Sequence, residues 1–434
     1  MINPFVVPGG RFIETYYWDS FWTIEGLLVC DMYKTVRMML ENFINFINTY
    51  NFIPNGSRVY YLNRSQPPYF SQMLMAYYEY SISSNIPQSE KNEIKTFVLN
   101  SGLPAVQKEY NFWMNEKVAK IVKDGKEYTF NLYKVQNDSP RPESYYEDVE
   151  TASHFSNQSE KAKVYADLAS AAESGYDFST RWLKDPFKLE TIQTTNIIPV
   201  DLNSLMYKIE LILAELYSLK GDSQSQNLYE ALADKRAKAI NEVLWSDQKS
   251  YWADFKIAEG KLNDEEFYAY GLSPLWFGIV PPNRNVLDVI KINMQFYTKY
   301  DGGVPVSFVN STQQWDFPNV WAPNQQSIIL MLLNYDKNLS LSIARNFFNS
   351  VFEGWRRHSV FYEKYDATKP GERGSGGEYT VQSGFGWTNG VALQLLSIFK
   401  DDIIKPTSAS FSHEPFSNTI YLLATIFCLN KFVF

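Results

Sequence analysis

Forty-eight Asp and Glu side chains stand against three histidines and two cysteines. His154, His358 and His413 show no His-Glu-x-x-His spacing, and Cys30 and Cys428 lie at opposite ends of the chain. A zinc centre, a Ser-His-Asp hydrolase and a Cys-x-x-Cys redox pair therefore have little to build from, and chemistry falls to carboxylates. The segment 7–22, VPGGRFIETYYWDSFW, gathers Arg11, Glu14, Asp19 and six aromatic rings behind a Pro-Gly-Gly turn. That mixture suits a sugar, which presents an apolar C–H face and a rim of hydroxyls. Phe12 and Trp18 offer ring faces, Arg11 is a rigid multi-donor fork, and Asp19 can accept two hydroxyls. Asp177, in ESGYDFSTRW, lies near Tyr176, Phe178 and Trp182. An apolar setting of that kind raises a carboxyl's pKa towards that of an acid at neutral pH, although an Asp after a Gly-Tyr turn also fits a helix N-cap.

The elements that must position these groups read as helices. Apolar residues recur at mixed three and four spacing through Leu27, Leu28, Met32, Val36, Met39, Leu40, Phe43 and Phe46, predicting a helical run over 21–50. Similar patterning predicts helices over 69–83, 88–101, 105–123, 201–219, 223–244, 285–299, 324–334, 339–352 and 381–399. Strand-like runs are few and short, such as YKVQ at Tyr133. The loops between helices are rich in Trp, Tyr, Gly, Asn and charge, which is where a rigid scaffold carries binding groups. The expected fold is all-α, an (α/α)6 toroid with its active-site loops gathered at one end.

Hydrophobic residues make up 45% of the 434 and charged residues 20%, the balance of a globular chain. A net charge of −8 argues against nucleic acid or an anionic membrane as the main partner. Eleven Trp and thirty Tyr exceed ordinary core needs and agree with a sugar site. No Ser/Pro/Gly-rich linker splits the chain, so 1–405 is expected to be one domain. In 406–434 a polar spacer precedes an apolar tail too short for a span of about 20 residues. Small residues at Ser408, Ala409 and Ser410 ahead of that tail fit a lipid-anchor (GPI) signal, with a frayed or misread end and a final packed helix as the other readings. Asn-x-Ser/Thr acceptors at Asn55, Asn63, Asn137, Asn157, Asn310 and Asn338 suit an extracellular or cell-surface chain. No secretory signal precedes Val7, and the reading that joins these two facts is an incomplete N-terminus.

PGGRFIETYYWDSFW and QQWDFPNVWAP resemble the two signature motifs of the trehalases, glycoside hydrolases that split the α,α-1,1 bond of trehalose into two glucoses. IPNGSRVYYLNRSQPP, AESGYDFSTRW and GSGGEYTVQSGFGWTNGV resemble further trehalase blocks in the expected order, so the resemblance runs from Pro8 to about Val391. It implies that Asp177 is the general acid. It also implies that Glu363, in FYEKYD, is the general base, although beside Lys364 its own context is that of a solvated surface pair. Trehalases invert, which sets the two carboxyls roughly 6.5 to 9.5 Å apart with water between base and sugar. Arg11, Phe12, Trp18, Asp19, Asn55, Arg64, Gln66, Arg141, Glu143, Gly175, Trp315, Asp316 and Glu378 carry over as substrate contacts. No metal or cofactor is implied, and Asn55 as a sugar contact would escape glycosylation.

The sequence also departs from the family. Tyr176 stands where a Trp is usual, and Glu372 and Arg373 interrupt the Gly run of GERGSGGEY. That run lacks the Gly-Lys-Ser/Thr ending of a phosphate cradle and reads as a mobile lid. Trehalases carry helices before the first signature, which here begins at Pro8. The expectation is a toroid lacking its first helices, with an open apolar seam, and the alternative is an inactive sugar-binding remnant.

Overall fold

The computed structural model describes residues 1–404; the spacer and tail of 406–434, with the anchor signal, lie outside the described residues. The run expected over 21–50 is two helices, α1 (Asp19–Val29) and α2 (Tyr33–Tyr50), parted where Asp31 adopts a φ of 58°. Next come α3 (Phe70–Ser83) and α4 (Gln88–Phe97), and a single π turn, Val98–Gly102, carries the chain into α5 (Leu103–Glu116). The helix expected over 105–123 thus stops at Glu116. In its place β1 (Val118–Lys123) turns at Asp124-Gly125, both at positive φ, and pairs antiparallel with β2 (Lys126–Asn131), Val118 opposite Asn131. Two left-handed residues are what a type I′ hairpin turn requires. The strand expected at Tyr133 is not formed: residues 132–138, just past this hairpin, have no regular secondary structure.

Two helices that the periodicity does not predict follow, α6 (Tyr145–Ala152) and α7 (Gln158–Ser174). The first turns of α7 are polar and capped by the Asn157 side chain, and its buried half is built largely of Ala and Ser, so it carries little apolar signal. Apart from the short α10 (Ser273–Phe277), which the periodicity also does not predict, the rest follow the pattern: α8 (Val200–Lys220), α9 (Ser223–Val243), α11 (Val286–Tyr297), α12 (Ala322–Leu333), α13 (Lys337–His358) and α14 (Gly386–Phe399).

Six of these helices close a ring. α1 packs on α3, α3 on α8, α8 on α10, α10 on α12, α12 on α14, and α14 returns to α1. Ring members are buried nearly all round, as α1 is from Asp19 to Leu28. Those outside are amphipathic: α2 buries Val36, Met39, Leu40, Phe43 and Ile47 on one face and covers α1 and α3. Closure rests on two glycines. A Cβ at Gly26 would meet the Gly390 Cα at 2.7 Å, and one at Gly390 would meet the Trp22 carbonyl at 1.9 Å. The seam expected to be open is therefore closed by α14 on α1. The starts of α1, α12 and α14 and the ends of α7 and α13 lead to the loops of one cavity. Among the described residues no helix is long and apolar enough to cross a membrane.

Candidate active site

The cavity encloses about 300 Å³. Its floor is Trp18, the residue ahead of α1, with Asp19 in that helix's first turn. Gly175 ends α7 in the left-handed region, φ 78°, and a Cβ there would lie 2.4 Å from the Trp18 ring. Only glycine lets the chain turn so tightly over the floor, and that turn delivers Asp177 into the cavity. The aromatic neighbours expected around Asp177 are present in altered roles. Tyr176 packs on Trp315 at 4.6 Å, Phe178 lies under the Arg141 guanidinium at 5.1 Å, and the Trp182 Nε1 donates to the Tyr176 carbonyl. Asp177 is thus held by a loop over the floor and does not cap a helix.

Burial pushes the Asp177 carboxyl up to about 8, against the pull of the nearby Arg141 and with a further push from Glu378. Glu363 follows α13 in a loop and is 1% exposed, while its neighbour Lys364 is wholly buried, so the surface pair suggested by the sequence is an interior one. Burial also raises Glu363, and four groups oppose that rise: the Lys364 ammonium, the Tyr379 hydroxyl donating at 2.6 Å, the Gln382 backbone N–H at 3.2 Å, and Arg11. The two carboxyls are therefore environmentally unlike. Glu363 accepts hydrogen bonds that favour its ionised form, whereas burial dominates at Asp177.

Around this pair the structure gathers nearly all the residues carried over from the motifs. The Arg64 Nε donates to Asn55 at 2.8 Å and its outer nitrogen is paired with Glu143. Arg141 forks onto Asp148 and reaches Glu378 at 3.0 Å, while the Ser144 hydroxyl holds the other Glu378 oxygen at 2.9 Å. The Gln66 side-chain oxygen accepts the Trp18 backbone N–H. At the mouth the exposed Arg11 lies 5.0 Å above the Tyr379 ring, and Phe12 meets Tyr379 edge-on. Trp315 stacks on Trp321 at 3.9 Å. Asp19 is raised to about 8 by burial, with the Glu363 charge adding. Three buried polar atoms of cavity residues lack a partner: Arg64 Nη1, Glu143 Oε2 and Trp315 Nε1. Sugar hydroxyls are the groups that would satisfy them.

Asp316 departs from the expectation of a sugar contact. It is wholly buried outside the cavity lining and accepts from the hydroxyls of Ser179, Thr180, Ser307 and Ser311 and from the Thr180 backbone N–H, all at 2.7–3.1 Å. Its lone pairs are spent on tying the loop after Asp177 to the loop before Trp315. Sequence reasoning also missed lining residues. Gln314, Tyr379, Tyr60, Tyr61 and Trp387 all stand inside quoted motifs, so each was within reach. The Gly-rich segment expected as a lid lies against the cavity, with the Gly374 N–H on the Lys364 carbonyl and the Ser375 N–H on Asn319. Among the described residues no group of three or more His, Cys, Asp or Glu side chains could hold a metal ion.

Comparison with known proteins bears on the family and the fold. The family profile named Trehalase matches residues 1–400. Human trehalase is 39% identical over 417 residues, covering 94% of this chain and 69% of that protein. Trehalase of Tenebrio molitor is 40% identical, covering 92% and 72%, and a periplasmic trehalase of Shigella flexneri is 40% identical, covering 98% and 73%. Among solved structures, neutral trehalase of Saccharomyces cerevisiae superposes with a TM-score of 0.74 at 22% identity over 96% of this chain and 79% of its own. A mannosylglycerate hydrolase of Thermus thermophilus gives 0.61 at 14%, over 91% and 96%. These likenesses establish a helical fold of the (α/α)6 toroid kind.

Proposed function

The chain belongs to the trehalase family of glycoside hydrolases, and on that premise we propose that it cleaves α,α-trehalose to two glucoses with inversion, Asp177 acting as acid and Glu363 as base. Asp177 gives its proton to the glycosidic oxygen as the C1–O bond breaks. Glu363 takes a proton from the water whose oxygen bonds to C1 from the opposite face, so one glucose leaves as the α and the other as the β anomer. The observation that carries this reading is the contrast between the two carboxyls in one cavity: burial keeps Asp177 protonated to about pH 8, while donors and cations surround Glu363. Environments that push two carboxyls apart are what assign acid and base. Arg64, Glu143 and Trp315, with their unpartnered atoms, bind hydroxyls, and Arg11, Phe12, Trp18, Asp19, Asn55, Gln66, Arg141, Gly175 and Glu378 shape the rest of the sugar site.

The inactive-remnant alternative rested on an open seam, and α14 on α1 removes that support. We assign 1–405 to one catalytic domain and place the protein outside the cytoplasm, in keeping with a periplasmic relative and with exposed acceptors at Asn63, Asn157, Asn310 and Asn338. The anchor is a separate proposal, tested by enzymatic release of the protein from cells. The function is tested by proton NMR of trehalose turnover. Equal α- and β-glucose at early times, lost in Asp177→Asn, is the expected result; one anomer in excess from the start contradicts inversion.

A further inference from the structure

Lys364, whose ammonium opposes the rise of Glu363, is wholly buried beside the cavity. Its ammonium donates to the Gln314 side-chain oxygen at 3.0 Å and to the Gly376 carbonyl at 3.1 Å, and lies 5.0 Å over the Trp321 ring. The nitrogen of that same Gln314 amide donates to the Asp177 carbonyl. One cation thus holds the loop bearing the acid, through Gln314, and the Gly-rich segment that presents Tyr379 to Glu363. The charged and titratable groups around the pair are Arg11, Asp19, Tyr379 and Lys364 on the side of Glu363, and Arg141, Arg64 and Glu378 on the side of Asp177. The Lys364 ammonium interacts with both carboxyl charges, Glu363 first. Burial draws its own ammonium down to about 8, and the Glu363 and Asp177 charges oppose this.

We propose that Lys364 is the positioning residue of the acid–base pair: through Gln314 and Gly376 it fixes both loops, and its charge, shared by Asp177 and Glu363, sets the pH range in which one is protonated and the other ionised. The inference rests on Glu363 being the base. A buried ammonium favours ionised carboxyls, so its loss raises both pKa values, and the whole pH profile moves to higher pH. A tether without electrostatic function would lower the profile and leave its limbs where they were.

The test is the pH dependence of kcat/KM on trehalose for Lys364→Met, Lys364→Arg and Glu363→Gln, with folding followed by thermal unfolding. For Lys364→Met we expect both limbs to rise by about one pH unit and kcat to fall about a hundredfold, with KM little changed. Lys364→Arg should keep its limbs near the wild-type positions even if kcat drops. Unmoved limbs in a folded Lys364→Met, alongside an inactive Glu363→Gln, overturn this inference alone. An active Glu363→Gln overturns the assignment of the base instead. If Lys364→Met does not fold, Lys364→Arg decides: displaced limbs with the charge retained refute the electrostatic role.

Discussion

Gly26 of α1 and Gly390 of α14 face each other across the closure of the helical ring, with no room for a methyl group on either. The Gly390 contact is with the Trp22 backbone carbonyl, which cannot swing aside as a flexible side chain could. Gly390→Ala must therefore push the first and last ring helices apart. The expected cost is about 3 kcal/mol, read as a lower midpoint in chemical denaturation. A variant as stable as the parent would mean that the ring is not held shut at this point.

On the proposed roles of Asp177 as acid and Glu363 as base, the pH profile follows from the two carboxyls. Asp177 must be protonated, and burial raises it to about 8, so kcat/KM should decline as pH rises through about 8. Glu363 must be ionised, and it too is raised by burial, so the acid limb should lie above the ordinary glutamate value. Asp177→Asn should lower kcat by about a thousandfold or more while trehalose still binds, since general acid catalysis is worth 10²–10⁴. Activity undiminished at pH 9.5 would contradict the burial of the acid.

Asp19 shows how the site trades stability for function. Its folded pKa, raised to about 8 chiefly by burial, exceeds its unfolded value. The folded protein therefore binds a proton that the unfolded chain releases, and stability from this group is full below the unfolded pKa and lost as pH rises through about 8. Asp19→Asn removes that loss. The variant's melting temperature should gain on wild type steadily from pH 5 to pH 9 while its activity falls, and a gap that does not vary with pH would exclude the linkage.

What the sequence made legible, and what it did not, follows from how far each signal reaches. Helices whose apolar stripe meets a polar exterior, such as α2 and α13, were readable because burial on one face leaves a period. α7 was not, because its buried half is small and polar. The hairpin after α5 was missed although Asp124-Gly125 announces it, since the helical period of the preceding residues was extended too far. At the site, nearly all the residues singled out by motif resemblance line the cavity, but many other lining residues, Gln314, Trp321 and Tyr379 among them, were not singled out. The resemblance could not separate a residue that faces sugar from one that braces the wall, which is why Asp316 was misplaced. Nor could it reveal Lys364, because Glu-Lys reads as surface until Gln314 and Gly376, from distant loops, are seen to enclose it.

Asp316 offers a direct comparison of these two roles. If it bound sugar, Asp316→Ala would raise KM and leave the fold intact. The structure instead gives it five donors from two loops. Removing the carboxylate orphans those donors, and the loop carrying Asp177 loses its attachment to the loop carrying Trp315. A buried network broken in this way costs about 3–5 kcal/mol, so Asp316→Ala should melt well below wild type. Measured far below that melting temperature, binding of trehalose to an Asp177→Asn/Asp316→Ala double variant should match that to Asp177→Asn within about threefold, a difference under 1 kcal/mol. A large loss of affinity at unchanged stability would return Asp316 to the sugar site.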